Sequence, residues 1–195
     1  TAQEAQNYRI KSKIFQADLR NAEEAKGLIK NVADYFGSLE VFINNVGNYH
    51  KGKLSELKNN DWHEMLNSNL NSTFYCCQAA SHIMREQQFG RIINFGFAGS
   101  EFISAKPSIV AYQIAKTGVI LYSKALAKSE AKNNITVNVI SPGIIETSIS
   151  QPLSEIPMQR LGKIDEIVGA VRYFLSPVAS YTTGTTLEIS GGWNL

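Results

Sequence analysis

The sequence predicts a doubly wound α/β fold, a parallel sheet with helices on both faces. Two observations lead there. Short β-branched runs alternate with longer segments whose apolar residues recur at helical spacing. The runs are also closed by glycine, proline or asparagine, as strands buried in a parallel sheet are. Such alternation requires right-handed crossovers that place helices above and below the sheet.

Taken in order, KIFQADL (13–19) reads as the first strand. A helix follows, with Ala25, Leu28, Ile29, Val32, Ala33 and Phe36 at helical spacing and Asn21 as its N-cap. LEVFINNVG (39–47) is the second strand, and Trp62, Met65, Leu66, Leu70, Phe74, Cys77 and Ile83 mark one long helix after it. RIINFGF (91–97) is the third strand. Segment 108–131 is apolar on several sides, which predicts a helix buried against the sheet and against a second subunit. TVNVISPG (136–143) and TLEISGG (186–192) are the last strands. Between them, 144–163 carries Pro152, Pro157 and several serines and has the character of a lid. A helix then runs from about Asp165 to Leu175 and stops before Pro177. With no internal repeat or linker, 1–195 reads as one domain.

Composition excludes several classes. A hydrophobic fraction of 44% and a charged fraction of 18% belong to a globular chain, and a net charge of +2 with scattered basic residues argues against nucleic acid or an anionic membrane. No apolar run approaches the roughly 18 residues of a membrane span. Cys76 and Cys77 are adjacent and have no metal-ligand spacing, so they read as reduced core residues, which suits the cytoplasm. His50, His63 and His82 share no ligand spacing, so no metal is expected.

In an open parallel sheet, ligands bind beyond the carboxyl ends of the strands. Three predicted ends carry unusual residues: Asp18, the run Asn44-Asn45-Val46-Gly47, and Pro142-Gly143. Each alone is an ordinary turn or a stitch between strands; together they mark one edge. Tyr-x-x-x-Lys occurs twice. Tyr49 and Lys53 fall in a glycine-containing loop, where the spacing fixes nothing. Tyr112 and Lys116 fall in a helical pattern, so they project from one face. There a lysine cation favours phenolate and lowers the tyrosine pKa, and such a phenol exchanges a proton with a carbonyl oxygen.

With these residues in register, the sequence resembles the short-chain dehydrogenase/reductase family, most nearly its 3-oxoacyl-[acyl-carrier-protein] reductase-like members. Asp18-Leu19, Asn44-Asn45-Val46-Gly47, Asn69, Tyr112 with Lys116, Ser141 to Thr147, Arg160-Leu161-Gly162 and Ser190-Gly191-Gly192 carry the resemblance, in order, along essentially the whole chain. It implies a Rossmann-like domain that interconverts a carbonyl and an alcohol with NADP or NAD. Tyr112 would be the general acid/base, Lys116 would hold the nicotinamide ribose, and Asn69 would support a water chain. The cofactor would meet Asp18, Leu19, Asn45, Gly47, Pro142, Gly143, Ile145 and Thr147. Relatives of this kind also imply a homodimer or homotetramer through helices including 108–131.

Three departures accompany the resemblance. The glycine-rich turn T-G-x-x-x-G-x-G is absent, so the expectation is a partial domain whose N-terminal β-α-β portion is missing. Phe97 holds the position of the family's catalytic serine, and a loop about two residues longer than usual is expected to bring Ser100 into the site, with Ser104 as second candidate. The lid is short, which leaves the substrate open. Two other readings stand beside the enzyme: an impaired member serving as an oligomeric scaffold, and an unrelated nucleotide-binding module, which leaves Asn69, Tyr112 and Lys116 unexplained.

Overall fold

The structure, a computed structural model, describes residues 5, 8, 10–102 and 105–194. Helix α1 (Ala22–Phe36) starts where the Asn21 side chain accepts hydrogen bonds from the Glu23 and Glu24 amides at 2.9 and 3.2 Å. It stops at Gly37, whose φ of 89° suits a residue without Cβ and whose N–H returns to the Ala33 carbonyl. The remaining elements are β1 (Val41–Asn44), α2 (Asn59–Met65), α3 (Ser72–Gln87), β2 (Gly90–Phe95), α4 (Val110–Glu130), β3 (Ile135–Pro142), α5 (Ile164–Leu175) and β4 (Thr186–Ile189).

All four strands are parallel and lie in the order β1-β2-β3-β4. Successive side chains of a strand face opposite sides, so Ile92 and Ile93 serve two cores. On one face Ile92, Ile135 and Val137 pack with Ala25 and Ile29 of α1, Cys76, Cys77, Ala80 and Met84 of α3 and Ala127 of α4. On the other, Ile93 and Ile140 meet Ile167, Ala170 and Phe174 of α5. Phe174 is 1% exposed; truncating such a ring to alanine costs about 3–5 kcal/mol.

Two expectations are corrected. KIFQADL forms no strand: residues 13–19 have no ladder partner among the described residues. β-propensity is a preference for packing beside a neighbour, and no strand among the described residues pairs with this segment. The segment instead leans on α1, with the Phe15 ring 5.9 Å from Tyr35 and Leu19 against the first core. β1 is consequently an edge on which Val41 and Ile43 stay about 40% and 43% exposed. The long helix expected over 62–83 is likewise interrupted, by a π-helical segment at Leu66–Asn71. Hydroxyls there bond back to the chain, Ser72 Oγ to the Ser68 carbonyl at 2.7 Å and Thr73 Oγ1 to the Asn69 carbonyl at 2.6 Å. The other strands and helices form where expected, trimmed by a few residues.

Candidate active site

Helix α4 presents Tyr112 and Lys116 toward the carboxyl ends of β2 and β3. A cleft of about 710 Å³ opens there, lined by Tyr112, Gly96, Pro142, Gly143, Ile145 and Thr147. Lys116 is buried beneath it, its Nζ 5.8 Å from the Tyr112 ring centroid and donating to the Phe95 carbonyl at 2.9 Å. Burial pulls its pKa from 10.5 down to about 8.

Tyr112 moves opposite to the sequence-based expectation. Its pKa is pushed up to about 12, chiefly by burial and secondarily by Tyr49, whose ring stands edge-on at 5.0 Å. The spacing places a lysine near the phenol, but burial sets the direction of the shift here, and the ammonium donates to the strand-end carbonyl. The phenol is thus a firmly protonated donor at neutral pH.

Asn69, fully buried on the π-helical segment, donates from Nδ2 to the carbonyls of Asn48 and Met65 at 2.9 and 3.0 Å, fixing the loop after β1. Its Oδ1 is buried with no hydrogen-bond partner among the described residues. Gly47 is required beside it: a Cβ there would lie 2.1 Å from that oxygen. Asn44 is a stitch, donating to Thr73 Oγ1 at 2.9 Å and to Asn94 Oδ1 at 3.3 Å, whereas Asn45 is exposed on the same loop.

Asp18 reaches this loop indirectly. Its carboxylate holds Arg20 at 2.7 Å, Arg20 holds Glu64 at 3.1 Å, and Glu64 accepts from Asn48 Nδ2 at 2.5 Å. The Arg20 hydrogen bonds lower the Asp18 pKa to about 2. Leu19 is partly buried and packs against the first core.

Ser100 is corrected. The long loop does not aim it at the cleft: Ser100 is 1% exposed, its hydroxyl donates to the Phe97 carbonyl, and it accepts from the Phe97 amide at 3.2 Å. It locks a turn. Ser100→Ala is therefore expected to leave turnover unchanged and to lower stability by about 1 kcal/mol, read from the urea midpoint. Ser104 lies outside the described residues.

Part of the cleft wall is aromatic. Phe97 stands 5.7 Å from Tyr112 and 5.6 Å from Trp193, whose indole N–H donates to Glu155 at 3.1 Å. The Tyr49–Lys53 spacing is indeed incidental, since Lys53 pairs with Glu56 at 3.1 Å, yet Tyr49 itself belongs to the site. These contacts join residues far apart in sequence, and only the misplacement of Phe97 signalled them. Segment 144–163 is pinned at its base by a bridge between Ile145 and Gly162, with the Gly162 amide 3.0 Å from the Ile144 carbonyl.

No helix among the described residues is long and apolar enough to cross a membrane, and no three His, Cys, Asp or Glu among them gather as a metal site would need.

Comparison with known proteins places the chain in a family. The family model for enoyl-(acyl carrier protein) reductase matches residues 1–194. A 3-oxoacyl-[acyl-carrier-protein] reductase of Synechocystis is 35% identical over 184 residues, covering 91% of this chain and 74% of the relative. One from Haemophilus influenzae is 34% identical over 192 residues, covering 93% and 78%. The crystal structure of a candidate short-chain alcohol dehydrogenase from Sinorhizobium meliloti superposes with a TM-score of 0.92 at 27% identity, covering 98% of this chain and 80% of that one. From sequence and fold together, the chain belongs to the short-chain dehydrogenase/reductase family.

Proposed function

We propose that this protein is a nicotinamide-dependent oxidoreductase, using NADP or NAD to interconvert a carbonyl and a secondary alcohol, with an activity like that of 3-oxoacyl-[acyl-carrier-protein] reductases. The observation that carries this reading is Tyr112 lining the cleft with Lys116 buried beneath it on the same helix. The Lys116 donor set fits a dinucleotide. An ammonium has three N–H donors, and among the described residues one acceptor, the Phe95 carbonyl, engages it, leaving donors for sugar hydroxyls. Asn45, Gly47, Pro142, Gly143, Ile145 and Thr147 would hold the cofactor along the strand ends, with Asp18 and Leu19 at the adenine side. The bound nicotinamide supplies or accepts hydride.

In reduction, Tyr112 gives its proton to the carbonyl oxygen. Asn69 holds the loop against which the cofactor would rest. With Phe97 at the position of the family's serine and Ser100 bonded to the Phe97 backbone, oxyanion stabilisation falls on the phenol. The two free, buried cysteines suit a reducing compartment, and the cytoplasm is the proposed location. Exposed Ile114 and Leu121 on α4 form the surface proposed for a homodimer or homotetramer.

The test is nicotinamide fluorescence and cofactor oxidation with NADPH and NADH against a panel of ketones. Cofactor binding with no turnover of any carbonyl would refute the reading; no binding at all would leave the scaffold. Lys116 adds a pH signature. Its folded pKa lies below its unfolded value, so between about 8 and 10.5 the unfolded chain binds more protons, and stability rises with pH across that window. Relative to Lys116→Met, the wild type should gain about 3 kcal/mol from pH 8 to 10.5 in urea unfolding.

A further inference from the structure

The cleft beside Tyr112 holds a cation the chemistry above leaves unused. Lys106 Nζ stands 4.7 Å from the Trp193 ring centroid and 5.1 Å from that of Phe97. Ring faces attract an ammonium only modestly, by about 0.5–2 kcal/mol. Among the described residues no carboxylate forms an ion pair with it. The two that act on its charge already accept hydrogen bonds: Glu155 from the Trp193 indole at 3.1 Å, and Glu188 from the Gly99 amide at 2.8 Å and from Ser190 Oγ at 2.9 Å. Burial lowers the Lys106 pKa, and Glu155 and Glu188 oppose that shift. Lys51 lines the same cleft, so its walls carry two cations and one carboxylate.

We infer that this cleft takes carbonyl compounds bearing a negatively charged group, a carboxylate or phosphate, which Lys106 holds while the carbonyl lies at Tyr112. The assignment rests on the carbonyl-reductase reading and names the substrate class for that site. An anion supplies the acceptor the ammonium lacks, and the rings of Phe97 and Trp193 cover an apolar or planar body. The acidic group is untouched by the reaction: hydride goes to the carbonyl carbon, the Tyr112 proton to its oxygen.

Benzoylformate and its neutral methyl ester test the charge alone. The wild type should favour the anion, and Lys106→Met should raise KM for benzoylformate about tenfold or more, with a smaller change for the ester and little change in kcat. Glu155→Gln, which keeps an acceptor for the indole, should lower KM for the anion. In a Trp62→Phe background, quenching of Trp193 fluorescence by benzoylformate reports binding without turnover, and Lys106→Met should shift its midpoint about tenfold or more upward. Quenching that depends on Lys106 without oxidation of NADPH or NADH would support the anion site and sink the reductase reading. Equal effects of Lys106→Met on both compounds, or quenching by the two alike, would overturn the inference.

Discussion

Replacing Tyr112 by phenylalanine is expected to lower kcat by about 10³-fold, the scale of a positioned proton donor, while cofactor and substrate still bind. The substitution removes one oxygen and keeps the ring, so the edge contacts with Tyr49 at 5.0 Å and Phe97 at 5.7 Å survive. Stability should move by less than about 1 kcal/mol, because the lost hydroxyl belongs to a half-buried side chain. Single-turnover kinetics with nicotinamide fluorescence separates the two effects. A variant that keeps more than a tenth of the wild-type rate would remove the phenol from the chemistry.

Gly143→Ala should be the most damaging small substitution, lowering stability by about 2–3 kcal/mol in urea unfolding. The reason is backbone, not conformation. A Cβ at Gly143 would sit 2.6 Å from the Ser190 Cα, where no side chain can swing aside. The Gly143 amide also donates to the Ile189 carbonyl at 2.9 Å, so the ends of β3 and β4 cannot part without losing that bond. Displacement would pass through Ser190 and Glu188 to the Gly99 amide and the Phe97 wall. Activity should fall with stability. Gly169 inside α5 is the control: nothing lies within 4 Å of its added Cβ, so Gly169→Ala should stabilise by about 0.5–1 kcal/mol. Equal stability changes at the two positions would contradict the packing argument.

Much of this was legible in the sequence because it depends on local periodicity. β-branched runs located β1 to β4, and the four-residue spacing in AYQIAK put Tyr112 and Lys116 on one helical face. What stayed hidden depends on partners distant in the chain. KIFQADL has strand chemistry but no neighbour to pair with. The π-helical segment arises from hydroxyls of Ser72 and Thr73 that bond backwards rather than outwards. Ser100 could be counted into the site but not aimed, since its turn closes on Phe97. The aromatic wall joins residues 49, 97, 112 and 193. Spacing reports which groups are close and says nothing of how much water they have lost, so the direction of the Tyr112 shift was not readable from it.

The one-sided position of β1 carries a consequence for how the molecule comes apart. Strands β2 and β3 are each flanked by two neighbours, and their amides should be the slowest to exchange with solvent deuterium. β1 is hydrogen-bonded only to β2 among the described residues, with Val41 and Ile43 facing water, so it should exchange earlier. Because Asn44 ties the end of that strand to Asn94 and Thr73, fraying is expected to begin at Val41 and travel toward the loop that Asn69 holds.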